Sequence, residues 1–261
     1  MMQAAGLYYE EHGPPNAPPL ILSSGLGGSA GYWAPNIPAL AAHFRVIAYD
    51  HRGTGRSDRH LSEIVTVDDF ADDMLALMDA LNIDRAHIVG HAAGGVAGLA
   101  LALKAPDRLG KLVVVNGWTK ADPHFLRCFE ARLNLLRHAG VEAFLRAQPI
   151  FLYPANWISA HTEELDAELP HQTTSFPGVE TMEKRIAALA AFDVMGRLGG
   201  MGDGVLVLAT NDDMLVPSAA AQHLADQLAN ARHEVMPWGG HACNVTDPER
   251  FNRIVLDFLR S

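Results

Sequence analysis

A chain of 261 residues divides, at the usual ~150 residues per domain, into between one and two domains and is long enough to bury a substantial core. Lys and Arg total 20 against 30 Asp and Glu, a formal net charge of −10, which argues against a nucleic-acid binder. With 49% hydrophobic and 19% charged residues, the balance is that of a folded globular protein and not of a disordered interaction segment.

The stretch Met1 to Glu11 turns acidic at Glu10 and Glu11 without a basic start and an apolar run, so it is not expected to be a secretory signal. Short apolar runs follow at 20–22, 46–49, 87–89, 112–115 and 205–209, the pattern of strands covered on both faces. Gly13 to Pro19 reads as a turn between the first strands. Val67, Phe70, Met74, Leu77, Met78 and Leu81 recur at helical spacing behind a capping box of Thr66 and Asp69. The longest apolar stretch, 88–103, is broken by His91 and four glycines and is too short to cross a membrane. From about Thr119 to about Gly200 no buried strand is evident, only amphipathic helical stretches carrying Tyr153, Trp157 and Phe176. Gly199 to Gly204 reads as the return hinge. A last helix takes Asp247 as cap and Pro248 as its first residue, and is expected to bury Phe251, Ile254, Val255 and Phe258. Strands alternating with helices imply an α/β fold with a mostly parallel sheet, its core formed by 1–118 and 200–261 and a helical cap inserted at 119–199.

The most informative residues lie at the end of the central strand. Gly90-His91-Ala92-Ala93-Gly94 runs from strand into helix with the spacing of a G-x-S-x-G nucleophile elbow, whose glycines permit a strained turn that lifts the central side chain above the sheet. Here the centre is Ala92 instead of serine. Asp213 follows the strand at 205–209, and His241 follows in Gly239-Gly240-His241, so elbow, acid and histidine occur in the order of the α/β-hydrolases. Asp212 is the rival acid, and the spacing to Pro217 favours Asp213. Ser24-Gly25-Leu26-Gly27-Gly28 follows the strand at 20–22, where a Gly-rich loop donates to an oxyanion. The expected donors are the N–H groups of Leu26 and Ala93. Asp50-His51-Arg52-Gly53-Thr54-Gly55-Arg56-Ser57 matches the D-x-R-G-x-G-x-S turn of the same superfamily.

These matches make the chain similar to an α/β-hydrolase with a helical cap. More narrowly it resembles the RutD family of bacterial pyrimidine degradation, through Gly25 to Ser29 with Tyr32-Trp33, Gly90-His91-Ala92, Val115-Asn116-Gly117-Trp118, Gln148 to Pro154 and Gly239 to Pro248. The resemblance implies a hydrolase at the end of uracil breakdown, acting on carbamate or on aminoacrylate, with alanine at the elbow as a family feature. Ser24, His91, Trp118 and Cys243 are the residues expected at a substrate pocket. Cys243, two residues after His241, is more naturally a packed thiol than a substitute nucleophile. His91 occupies a place where a polar residue is common in this elbow. Cys128 and Cys243, the only cysteines, lack CxxC spacing, so neither a disulfide framework nor a zinc site is expected, and a reducing cytoplasm fits.

Without a hydroxyl at position 92 no acyl-enzyme forms there. An Asp–His pair can still protonate a leaving group or activate a water, and oxyanion donors can still hold charge. Carbamate suits such a site, since protonating its nitrogen lets the C–N bond break with no nucleophile on carbon. His241, oriented by Asp213, is the expected proton donor, with activation of water by His241 as the alternative. No cofactor and no metal are expected; the partner is a small-molecule substrate, with neither nucleic acid nor membrane, and a homodimer remains open. Competing readings are a ligand-binding protein that has lost its nucleophile and a cofactor-free oxygenase or lyase using the same pair.

Overall fold

Apolar runs that bury both faces of a strand need helices above and below them, and the computed structural model has that arrangement. It describes residues 2–201 and 204–261. Met1, with which the N-terminal stretch begins, and Gly202 and Asp203, within the return hinge, lie outside the described residues. The strands are β1 (Met2–Ala4), β2 (Leu7–His12), β3 (Pro19–Ser23), β4 (Arg45–Tyr49), β5 (Ala86–His91), β6 (Leu109–Val115), β7 (Val205–Thr210) and β8 (Arg232–Met236). They form one sheet in the order β1-β2-β4-β3-β5-β6-β7-β8, antiparallel at β1–β2 and β2–β4 and parallel from there on. The fold is that of an α/β-hydrolase.

Alternation within each strand feeds two cores. Ile21 and Ile88 pack on one face with Phe70, Met74 and Val96, while Leu20, Leu22 and Val89 pack on the other with Trp33 and Phe251. Each such side chain contributes about 1.5–3 kcal/mol by leaving water. The helix Val67–Ala80 begins at the capping box of Thr66 and Asp69. The helix Ala93–Lys104 begins at the residue after Ala92, so the elbow feeds straight into it. The last helix, Pro248–Arg260, is capped by Asp247 and buries Phe251, Val255, Phe258 and Leu259, with Ile254 half-buried at its margin.

The strands missed by the apolar-run pattern are β1, β2 and β8. They lie at the sheet edges, and β8 buries only Met236. Between β6 and β7 the chain forms the helices Pro123–His138, Val141–Leu152, Ala155–Ala160, Thr162–Ser175 and Val179–Ala191, and a bridge between Lys120 and Asp193 closes the base of this segment. Among the described residues no helix is long and apolar enough to cross a membrane.

From β3 the chain passes to β4 on one side and then crosses to β5 on the other, so the carboxyl ends of β3 and β5 border the switch point where open α/β sheets bind ligands. The loops after β3, β5, β6, β7 and β8 all open there.

Candidate active site

The elbow follows β5. Ala92 has φ +47° and ψ −106°, a left-handed backbone that an L-residue adopts only when its surroundings impose it. They do so by close backbone approach. A Cβ on Gly90 would lie 2.3 Å from the Gly94 carbonyl oxygen, and one on Gly94 would lie 2.1 Å from that of Ser23. The Ala92 N–H donates to the Val115 carbonyl at 2.8 Å and the Gly94 N–H to Ser24 at 3.0 Å, tying the turn to its neighbours. The methyl of Ala92 therefore occupies the place the fold prepares for a nucleophile.

The acid and the histidine meet. Asp213 Oδ2 accepts from His241 Nδ1 at 2.7 Å, while Oδ1 accepts from the N–H groups of Leu215 and Val216 at 2.7 and 2.9 Å. These bonds fix the carboxylate, which directs the other ring nitrogen, Nε2, away from the acid. Asp212 holds the loop instead, accepting from Gly240 N at 2.9 Å and Gly239 N at 3.3 Å. Adjacent carboxylates thus divide the work, and Asp213 is the one paired with the histidine.

The His241 carbonyl accepts from His91 Nε2 at 2.8 Å and from Asn116 Nδ2 at 2.7 Å. Because a carbonyl only accepts, Nε2 of His91 carries the proton and Nδ1 is bare. Burial holds this ring neutral, well below the usual histidine range, and His241 adds to the effect. Its ring stacks on Tyr32 at 5.0 Å and meets that of His241 edge-on at 4.6 Å. His91 thus couples the elbow to the histidine loop.

The loop after β3 supplies Ser24 and Leu26. Gly25 cannot carry a side chain, since its Cβ would lie 2.8 Å from His91 Nδ1. Gly28 donates to the Gly25 carbonyl at 3.0 Å, closing the turn, and neither the Leu26 nor the Ala93 N–H has a partner among the described residues. Ser24 Oγ, His91 Nδ1, Asn116 Oδ1 and Trp118 Nε1 are likewise buried without hydrogen-bond partners. Asp50 accepts from Ala30 N and Arg56 N, both at 2.8 Å, which makes the D-x-R-G-x-G-x-S turn a brace.

Ser24, His91, Ala92, Ala93, Trp118, Asp213 and His241 thus come together at the carboxyl ends of the strands. Cys243 is buried with Trp33, Val89 and Phe251, within electrostatic reach of Asp213 and Asp212. Burial pushes its thiol far above the ordinary range, as expected of a packing residue.

Two polar groups were not among the expected site residues: Asn116, quoted only within the stretch 115–118, and Arg185. Asn116 has φ +49° and stands at the carboxyl end of β6, a position that could have flagged it. Arg185, fully buried on the helix Val179–Ala191, donates to the Leu26 carbonyl at 3.1 Å, the Arg52 carbonyl at 3.3 Å and His51 Nδ1 at 2.9 Å. His51 in turn reaches Ser23 Oγ at 3.1 Å. The guanidinium thereby fixes the loop bearing the Leu26 amide. Among the described residues no cluster of His, Cys, Asp and Glu could hold a metal ion.

Comparison with known proteins agrees with this geometry. The family profile of the alpha/beta hydrolase fold matches residues 18–248. A Caulobacter sp. (strain K31) protein named "Putative carbamate hydrolase RutD" is 54% identical over 256 residues, covering 97% of this chain and 96% of its own. One of the same name from Agrobacterium fabrum is 47% identical, with 97% and 98% covered. The enol-lactonase of Burkholderia xenovorans LB400 superposes with a TM-score of 0.89 at 28% identity over 99% of this chain and 98% of its own. The strained elbow, the acid–histidine pair and the loop after β3 therefore stand in a member of the α/β-hydrolase family, to whose RutD group this chain belongs.

Proposed function

We propose that the protein is a hydrolase of small C–N substrates in pyrimidine breakdown, and that it converts carbamate to ammonia and carbon dioxide without a covalent intermediate. The relatives' name supports the substrate. One observation carries the mechanism: the pair Asp213–His241 is intact at 2.7 Å beside an elbow that presents a methyl group.

In this reading His241, as imidazolium, gives its Nε2 proton to the carbamate nitrogen. The C–N bond then breaks with its electron pair going to nitrogen, releasing ammonia and carbon dioxide, and water restores the proton on His241. The amides of Leu26 and Ala93, with the amino end of the helix Ala93–Lys104, face the carboxylate oxygens until the bond opens. Asp213 holds the ring so that Nε2 is the donor. General acid help of this kind contributes ~10²–10⁴-fold, enough for a substrate that already decomposes by itself. Both cysteines are free, which suits a reducing cytoplasm.

The test is the enzyme-dependent excess in ammonia release from fresh carbamate, followed against pH. Only the imidazolium can donate, so the excess is expected to fall as pH rises, to vanish in His241→Gln and to drop at least tenfold in Asp213→Asn. An excess that grows with pH would assign His241 to water activation. An excess unchanged in His241→Gln would remove the residue from the chemistry.

A further inference from the structure

The inserted helices bury two arginines, and only one has its donors accounted for. Arg185 spends three nitrogens on the Leu26 carbonyl, the Arg52 carbonyl and His51. Arg132, 3% exposed, stands on the buried stripe Phe125, Cys128, Phe129, Arg132 and Leu136 of the helix Pro123–His138. Its one hydrogen bond among the described residues is a long one, Nη2 to Gln148 Oε1 at 3.3 Å. Nε is buried without a partner.

A guanidinium out of water with no counter-ion costs several kcal/mol. Burial brings Arg132 down only to about 10, so it keeps its charge at neutral pH. The rings of Phe144, Phe151 and Phe129 lie 5.2, 5.5 and 5.6 Å from its central carbon. They offset part of that cost through their negative faces, but they cannot accept the Nε proton in the plane of the fork.

The side chains around Arg132 belong to segments that touch the loops of the acid and the histidine. Cys128, one turn earlier, has its Sγ 3.7 Å from the carbonyl of Met214, which follows Asp213, and both Arg132 and Asp213 act electrostatically on that thiol. Phe151 precedes Leu152, whose carbonyl accepts from the Ala242 N–H at 3.0 Å, beside His241. The segments that cage Arg132 are therefore the ones that rest on the two catalytic loops.

We propose that Arg132, seconded by Gln148, is an anion subsite within the inserted helices and takes the carboxylate of a small monoanion. The edge formed by Nε and Nη2 matches the spacing of two carboxylate oxygens. A carboxylate there supplies the missing counter-charge and the missing acceptor together. The proposal rests on the hydrolase reading above and deepens it by restricting the substrate to carboxylates.

The experiment titrates intact protein with acetate, with acrylate as the three-carbon probe and acetamide as the neutral control. The Nε–H resonance of Arg132, assigned by its absence from Arg132→Lys, is expected to shift with acetate or acrylate and not with acetamide. In Arg132→Met the acetate-induced rise in melting temperature should disappear, and KM for carbamate should rise at least tenfold with kcat held within about threefold. His241→Gln should bind acetate as wild type does while losing turnover. Arg132-dependent acetate binding without carbamate turnover would leave the subsite standing and sink the hydrolase reading. An Nε–H signal that acetate does not move would overturn the subsite, even if Arg132→Met cannot be folded, and would make Arg132 a structural cation in an aromatic cage. A stronger response to acrylate than to acetate would point to the longer substrate.

Discussion

The elbow at residues 90–95 and the histidine loop at residues 239–242 both carry left-handed backbone, yet they are held by opposite means. At the elbow the lock is steric: Gly90, Gly94 and Ser23 approach so closely that no Cβ fits between them, and Ala92 is left at φ +47°. At the histidine loop the lock is polar. Asp212 takes the N–H groups of Gly239 and Gly240, and His91 and Asn116 take the His241 carbonyl. A steric lock does not depend on the side chain it presents, so a methyl group can stand where a hydroxyl would without relaxing the turn. A polar lock depends on protonation. The two halves of the site should therefore fail under different insults, one under added volume and the other under acid.

Gly94→Ala is the strongest blow to the steric half. Its Cβ would meet the Ser23 carbonyl at 2.1 Å, and both partners are backbone, so no side chain can swing away. The expected loss is above about 3 kcal/mol, at or beyond the upper range of overpacking, measured by urea unfolding. Gly27→Ala, whose Cβ would have nothing within 4 Å, is the matched control and should change stability by less than about 1 kcal/mol. Equal losses at the two positions would mean that the elbow is not sterically locked.

The same contrast explains what could be read before the fold was known. Strands β3 to β7 show as unbroken apolar runs because helices cover both faces, whereas β8, with Arg232 and Glu234 at the sheet edge, has no such signature. The elbow and the order of Asp213 and His241 were legible because steric and catalytic needs act at fixed local spacing. The spacing to Pro217 already favoured Asp213 as the acid, but the bracing role of Asp212 depends on a loop arriving from 27 or 28 residues away and shows only in the folded chain. Arg132 and Arg185 were overlooked for a different reason. Both stand on the apolar stripe of an amphipathic helix, where a charge ordinarily marks the solvent face. Three and seven residues after Phe129 and Phe125, Arg132 is nevertheless in helical phase with the core.

Acid tests the polar half. Burial holds His51 and His91 well below the ordinary histidine range, so each is neutral in the fold and takes up a proton more readily in the unfolded chain. Their contribution is fully present above the unfolded value of ~6.5 and is lost as pH falls from there towards the folded values. Between pH 6.5 and 5, unfolding free energy is expected to decline by up to about 1.4 kcal/mol per pH unit for each of these histidines. His91→Gln keeps a donor for the His241 carbonyl and should remove one such share of the slope. Urea unfolding at pH 7, 6 and 5 supplies the values. A flat wild-type profile, or a slope unchanged by His91→Gln, would show that the histidine loop is not held by a neutral His91.

The mildest substitution asks the sharpest question of the elbow. Ala92→Ser adds one oxygen to a side chain whose backbone is already fixed by Gly90, Gly94 and the Val115 carbonyl, and unpartnered polar atoms on Ser24 and His91 surround the turn. Stability should change by less than about 1 kcal/mol. If the elbow keeps its geometry without its hydroxyl, restoring the hydroxyl places Oγ beside a histidine already oriented by Asp213 and before the amides of Leu26 and Ala93. The variant should then acquire weak turnover of small activated esters and be labelled by a serine-directed phosphonate. The double variant Ala92→Ser, His241→Gln should show neither, since Oγ would lack its base. Ester turnover that persists in the double variant would place the chemistry elsewhere. A folded Ala92→Ser protein that neither turns over nor labels would mean that the steric lock holds position 92 out of line with the histidine, and that the two halves of the site do not converge on one reacting centre.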